Sequence, residues 1–220
     1  TLMLLARPKF FDIHKLHQNA SKGLPIHVIL RLFLECKSLN EVDRLLTSMT
    51  TNTYSCIGVA DDKHNGYFVE FCGFNKFDKL YASQKRFSFH TNHYLGCGLK
   101  YIGTDEAAAT QGSCSLPRYE QLRQLYAYKK CKNDNKFDTR TEVLKELLTN
   151  DMHKDQPICR EFKAKSAWKG KKTGTVTTII MNLKRKSMHL SRGSPLRYPF
   201  ETVFVDEYDG GVASEIHSKL

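Results

Sequence analysis

Apolar and polar positions change period twice along this chain. From Lys22 the pattern is helical: Lys22-Gly23-Leu24-Pro25-Ile26 opens a helix with Pro25 in its first turn, where a missing N–H is harmless. The helix runs to Glu35 with apolar residues nearly all round, which predicts a buried element. Ser38 followed by Glu41 forms a capping box, and Val42, Leu45, Leu46 and Met49 share one face at helical spacing, so a second helix completes a helical hairpin. The period then drops to two. Residues 53–60 and 66–72 read as strands joined by Asp61-Asp62-Lys63-His64-Asn65-Gly66, in which Asn65-Gly66 is expected to supply the left-handed residues of the turn. Residues 86–90 predict a further strand ending in the polar cluster His90-Thr91-Asn92-His93, placed to face a cleft.

Helical spacing returns after a connection at 96–113 that is rich in Gly and Ser. Ser115 is expected to cap a helix over 117–130, and Thr139 with Glu142 forms a second capping box that opens 143–148. Residues 150–173 carry little periodicity and include the Lys-rich stretch 163–172. Two strands, 175–183 and 188–191, are hinged at Lys184-Arg185-Lys186; a last strand is expected at 202–205, followed by a frayed tail. No internal repeat is visible. Helices and antiparallel hairpins in separate blocks predict an α+β fold.

The composition, 40% hydrophobic and 26% charged over 220 residues, suits one compact domain or two small ones and excludes collagen-like, coiled-coil and disordered classes. No stretch approaches the roughly 18 apolar residues of a membrane-spanning helix, so no membrane partner is expected. The net charge of +11 is uneven: residues 121–200 hold 19 basic and 7 acidic side chains. A basic nucleic-acid-binding domain is therefore an alternative reading, but no RNA-recognition, zinc-finger or helix-turn-helix signature accompanies the charge, and nucleic acid is not the expected partner. The seven cysteines are widely spaced with no C-x-x-C pair, which predicts small buried hydrophobes in a reducing intracellular compartment such as the cytoplasm. His90 and His93 lack the companions of a zinc site, and no metal or cofactor is expected. The start at Thr1-Leu2-Met3, without an initiator Met, suggests that residues 1–22 are the lead-in of a longer precursor.

Two chemical readings of the polar cluster follow from the residues alone. Cys97, between Gly96 and Gly98 and close to His93, could form a nucleophilic thiolate or simply pack beside two glycines. Asn92 could donate to an oxyanion or bond its own backbone as a turn residue. Glu70 is expected to face solvent or to pair locally.

The order Gly23-Leu24-Pro25-Ile26-His27, then Ala60-Asp61 with Val69-Glu70, then His90-Thr91-Asn92-His93-Tyr94-Leu95, resembles the acyl-coenzyme A:6-aminopenicillanic acid acyltransferase family of N-terminal-nucleophile hydrolases. Ser115-Leu116-Pro117-Arg118, Pro157-Ile158-Cys159-Arg160, Gly174-Thr175-Val176-Thr177 and Gly193-Ser194-Pro195 extend the likeness, which covers about residues 23 to 205. The family includes fungal isopenicillin N acyltransferase and the insect hydrolase of β-alanyl-dopamine. The resemblance implies a four-layer αββα sandwich and a precursor that cuts itself before a cysteine. That cysteine then attacks an amide, with its own α-amine as base.

In the family pattern the cysteine precedes the Gly-x-Pro helix, whereas the first cysteine here is Cys36. The expectation is therefore the later part of the catalytic domain, residues 23–206, lacking its first strands, with 207–220 as a flexible tail. Its partners would be the segment or subunit that carries the nucleophile and a small N-acyl amine or amino-acid conjugate, with an acyl-coenzyme A as an alternative acyl donor. Thr1 as a terminal nucleophile stands at the wrong distance from the helix. The resemblance places Asn92 as the oxyanion amide and Arg118 beside the nucleophile, with Arg123 as an alternative to Arg118. His90 and His93 become substrate-side wall residues that order the Asn92 loop. A relative without a nucleophile, acting as a binding or scaffold domain, is the rival within the same fold.

Overall fold

The computed structural model describes residues 23–51, 53–73, 75–81, 87–96, 115–132, 141–153, 157–162, 167–168, 171–172 and 174–204. The lead-in 1–22, Cys97, Thr139 and the tail 207–220 lie outside them. Two compact units divide the chain, Thr1–Arg123 and Gln124–Leu220.

In the first unit α1 (Ile26–Glu35) and α2 (Leu39–Ser48) precede an antiparallel sheet of β1 (Tyr54–Ala60), β2 (Gly66–Cys72) and β3 (Phe77–Tyr81), in that order. Pro25 is the N-cap of α1 rather than a member of its first turn. The helix is not buried all round: Ile29 and Phe33 are fully enclosed, while Val28 and Leu34 are exposed. A single helix face suffices to cover a sheet, so the remaining apolar positions stay outside. The capping box at α2 forms with an offset. Glu41 N donates to Ser38 Oγ at 3.3 Å, and the Glu41 carboxylate reaches back to Lys37 N at 2.9 Å instead of to the cap residue itself.

Strand period two assigns the faces of the sheet. Ile57 pairs with Val69, and Val59 with Tyr67. These four residues join Phe71, Ile29, Phe33, Val42 and Leu46 in the core, so the helical hairpin lies on that face. Phe68 and Glu70 alternate onto the opposite face.

The turn between β1 and β2 differs from expectation. Its left-handed residue is His64, with φ 68°, because the Asp61 carboxylate accepts from both Lys63 N and Asn65 N and winds the chain early. β3 escaped the sequence reading, and the expected strand at 86–90 is not formed over 87–90, which make no ladder. In its place, 87–96 run as irregular chain held by side chains.

Asp43 on α2 ties the hairpin to the sheet, accepting from Tyr67 Oη at 2.6 Å and pairing with Lys79 Nζ at 2.9 Å. Burial alone would raise the Asp43 carboxyl, but the Tyr67 and Lys79 contacts outweigh it and leave the group below its ordinary range. A lowered carboxyl contributes stability above its unfolded value of about 3.9, and that contribution is lost as pH falls through the folded value. Asp43→Asn should therefore lower the midpoint of unfolding at pH 7, and the difference from the parent should shrink as pH falls below about 4. Urea melts across that range provide the check.

The second unit contains α4 (Thr141–Leu148), the hairpin β4 (Ala167–Trp168) with β5 (Lys171–Lys172), and an antiparallel sheet of β6 (Ile179–Asn182), β7 (Ser187–Ser191) and β8 (Phe200–Phe204). Earlier in the chain, α3 (Ser115–Lys132) contains the unit boundary. Leu147, Cys159 and Ile180 are buried in the second unit. Buried Ser191 accepts from Thr178 N and donates to the Gly193 carbonyl, which seats the Gly193-Ser194-Pro195 turn. Gly193 has φ 145° there, with the Tyr198 ring packed where a side chain would stand. Among the described residues no helix is long and apolar enough to cross a membrane.

Candidate functional site

The site begins with a buried charge. Glu70 is the middle residue of three cross-strand neighbours, opposite Cys56 on one side and Asp78 on the other. Its side chain is fully enclosed on the sheet face away from the helices, where the sequence alone predicts solvent or a local partner. An enclosed carboxylate costs several kcal/mol unless donors surround it. Three do so: His90 Nε2 at 2.6 Å and Leu95 N at 2.7 Å on Oε1, and Gly96 N at 2.8 Å on Oε2. A Cβ on Gly96 would press onto the Asp78 carboxylate and come within 2.9 Å of Glu70 Oε2, so only glycine permits this approach.

The other nitrogen of His90, Nδ1, lies 2.5 Å from the Thr91 carbonyl. Both ring nitrogens face acceptors, a pattern that an imidazole carrying both protons satisfies. Phe68 packs against the same ring at 5.2 Å.

A second set of bonds anchors the loop to the start of α3. Thr91 Oγ1 donates to the Ser115 carbonyl at 2.9 Å, and Asn92 N donates to Ser115 Oγ at 2.6 Å. His93 Nδ1 lies 2.9 Å from Ser115 Oγ and 3.0 Å from Thr91 Oγ1. The hydroxyl expected to cap the helix thus binds the 91–93 turn, and the helix begins at Ser115 itself. A serine beside a histidine can form a nucleophile–base pair. Here Ser115 is 1% exposed and already accepts Asn92 N–H, so the hydroxyl acts as a ligand for the turn.

Asn92, half-buried in the 91–93 turn, and Arg118, one turn into α3, meet directly. Arg118 Nη2 donates to Asn92 Oδ1 at 2.6 Å. The amide is therefore bound through its oxygen by a guanidinium and not to its own backbone. Among the described residues no hydrogen bond engages Nδ2, which leaves its two N–H groups as donors. Arg123, the alternative to Arg118, pairs with Glu120 on the exposed side of the same helix.

His93 stacks edge-on against Tyr119 at 5.4 Å, and both histidines are buried, with ring nitrogens bonded within the protein. Sequence reasoning missed Glu70 and Ser115 as parts of this cluster. The available signal was a lone acidic residue inside an otherwise apolar strand, flanked by Val69 and Phe71.

The surroundings of two cysteines in this unit disfavour the thiolate. Burial pushes the Cys56 thiol far up, with the Glu70 charge adding to it, and burial followed by Glu41 raises Cys36. Thiols held protonated are weak nucleophiles. Among the described residues, no three His, Cys, Asp or Glu side chains gather in a way that could hold a metal ion.

No individual curated protein matches the chain. The sequence profile of the family described as acyl-coenzyme A:6-aminopenicillanic acid acyl-transferase matches residues 10–197, a span that includes every residue of the Glu70, Asn92 and Arg118 cluster. The chain belongs to the acyl-coenzyme A:6-aminopenicillanic acid acyltransferase family.

Proposed function

We propose that this chain is the later part of the catalytic domain of an N-terminal-nucleophile amide hydrolase or acyltransferase. Its substrate is a small N-acyl amine or amino-acid conjugate, and its fold is completed to a four-layer αββα sandwich by a segment that carries a nucleophilic cysteine. The observation that carries this reading is the 2.6 Å bond from Arg118 to Asn92 Oδ1, because it turns the amide so that Nδ2 is presented as a donor.

In this mechanism the α-amine of the terminal cysteine takes the thiol proton, and the sulfur attacks the substrate carbonyl. The oxygen that becomes negative receives a hydrogen bond from Asn92 Nδ2, while the Arg118 charge favours the anionic states nearby. Collapse of the tetrahedral species breaks the C–N bond; the amine leaves with the proton held by the α-amine, and a thioester remains. Water or a second amine then accepts the acyl group, and an acyl-coenzyme A serves as acyl donor in the transferase direction. The α-amine base makes a catalytic histidine unnecessary, which agrees with His90 and His93 being spent on ordering the loop. Free Cys36, Cys56 and Cys159 support a reducing compartment.

The test compares the 220-residue chain with a longer precursor that includes the upstream segment. The longer protein is expected to release amine from N-acyl substrates, and the chain alone is not. Burst acylation of the chain alone by an activated ester, abolished by changing Cys97 or Thr1, would reject the assignment of the nucleophile to an upstream segment.

A further inference from the structure

We propose that Glu70 is the positioning residue for Asn92, a single carboxylate that clamps the chain on both sides of the residue that carries the amide. This deepens the oxyanion reading of Asn92 and rests on it. All three donors that Glu70 receives come from residues 90–96 and none from the sheet in which it stands. His90 precedes Asn92 by two residues, and Leu95 and Gly96 follow it by three and four. The carboxylate therefore fixes the spacing between the two flanks of Asn92. Ser115 Oγ then fixes the Asn92 main-chain N–H, and Arg118 fixes its amide oxygen.

Filling the sheet does not account for this choice. Phe68, which shares that face, packs as a hydrophobe, and an apolar residue at position 70 would avoid the desolvation of a charge. What an apolar residue could not do is bind N–H groups at two chain positions five and six residues beyond His90. A displacement of about 1 Å at a reacting centre can cost about 10²-fold in rate, so a base that holds the loop rigid is felt at the amide. Glu70 touches no reacting atom, and its effect passes through His90, Leu95 and Gly96.

The experiment uses the full 220-residue chain labelled with 15N, and the longer precursor for turnover. Glu70→Gln keeps the shape but sets an NH2 against a backbone N–H. Exchange of the Leu95 and Gly96 amides should accelerate at least about tenfold, while those of Ile57 and Val69 hold. The Asn92 side-chain NH2 signals should shift or broaden. In the precursor, kcat should fall about 10- to 100-fold with KM within about twofold.

Unchanged Asn92 signals and unchanged exchange at Leu95 and Gly96 would overturn the proposal, as would a loss confined to KM. Should Glu70→Gln fail to fold, Gly96→Ala keeps the carboxylate and displaces residue 96 from it. It should produce the same changes at Leu95 and Asn92, and their absence would equally overturn the clamp. A precursor that turns over no amide would defeat the proposed activity. The exchange rates and the Asn92 signals would still decide whether Glu70 holds the loop.

Discussion

Asn92→Ala in the complete enzyme is expected to lower kcat by about 10²–10³-fold with KM nearly unchanged, a loss of about 3 to 4 kcal/mol from the transition state. In the proposed mechanism Asn92 Nδ2 is the donor to the oxyanion while Arg118 holds Oδ1, so truncation would remove a bond that matters only when negative charge develops on the substrate oxygen. Stability should change little, because the main-chain N–H of residue 92 still reaches Ser115 Oγ in the alanine variant. His93→Ala removes a buried ring that meets Thr91, Ser115 and Tyr119, and should cost less than about tenfold in kcat together with some thermal stability. The two variants are to be measured side by side for kcat, KM and Tm. A folded but inactive His93→Ala beside an active Asn92→Ala would reverse the roles of the two residues.

Phe71→Ala is expected to give the largest loss of stability, about 3–5 kcal/mol. Its ring is fully buried in the core between the helical hairpin and the sheet, 6.2 Å from the Phe77 ring. Truncation removes both the transfer free energy of the ring and the contacts around the cavity left behind. Phe71→Leu refills most of that space and should cost less than about 1.5 kcal/mol. The carbonyl of Phe71 also accepts from buried Tyr94 Oη at 2.6 Å, so loosening β2 at this point should reach the loop on its other face. Denaturant melts should show the midpoint falling with the slope m unchanged, and amide exchange should place the loss in β1, β2 and β3. Equal stabilities for the alanine and leucine variants would mean that Phe71 does not anchor the core.

These two substitutions lie on different elements and separate chemistry from folding. How legible each one was in the sequence follows the range of the forces involved. Ser38 and Glu41 are three residues apart, and their capping bond forms within the helix they open. Strand pairing of β1 and β2 was visible from period-two alternation on both sides of a turn. The turn itself was read less well, because the Asp61 carboxylate makes His64 the left-handed residue before Asn65 is reached. β3 carries Asp78 and Lys79 side by side, so its alternation is weak. Lys79 belongs there through contacts with Asp43 and with the Tyr67 ring, which no local window contains.

For the site, residue types and chain order were enough to single out Asn92, Arg118, His90 and His93 through the family resemblance. They could not say that Arg118 would bind the Asn92 oxygen across 26 positions, or that Glu70 would reach His90 across 20. By itself the sequence determined what local bonding and alternation can determine: the helical hairpin, the first two strands and the family. Only the tertiary structure decided what covers each face. Once chain closure brings the loop at residue 90 over the second face of the sheet, a carboxylate read as solvated becomes a buried charge. Its free energy then depends on donors contributed by a distant stretch of chain.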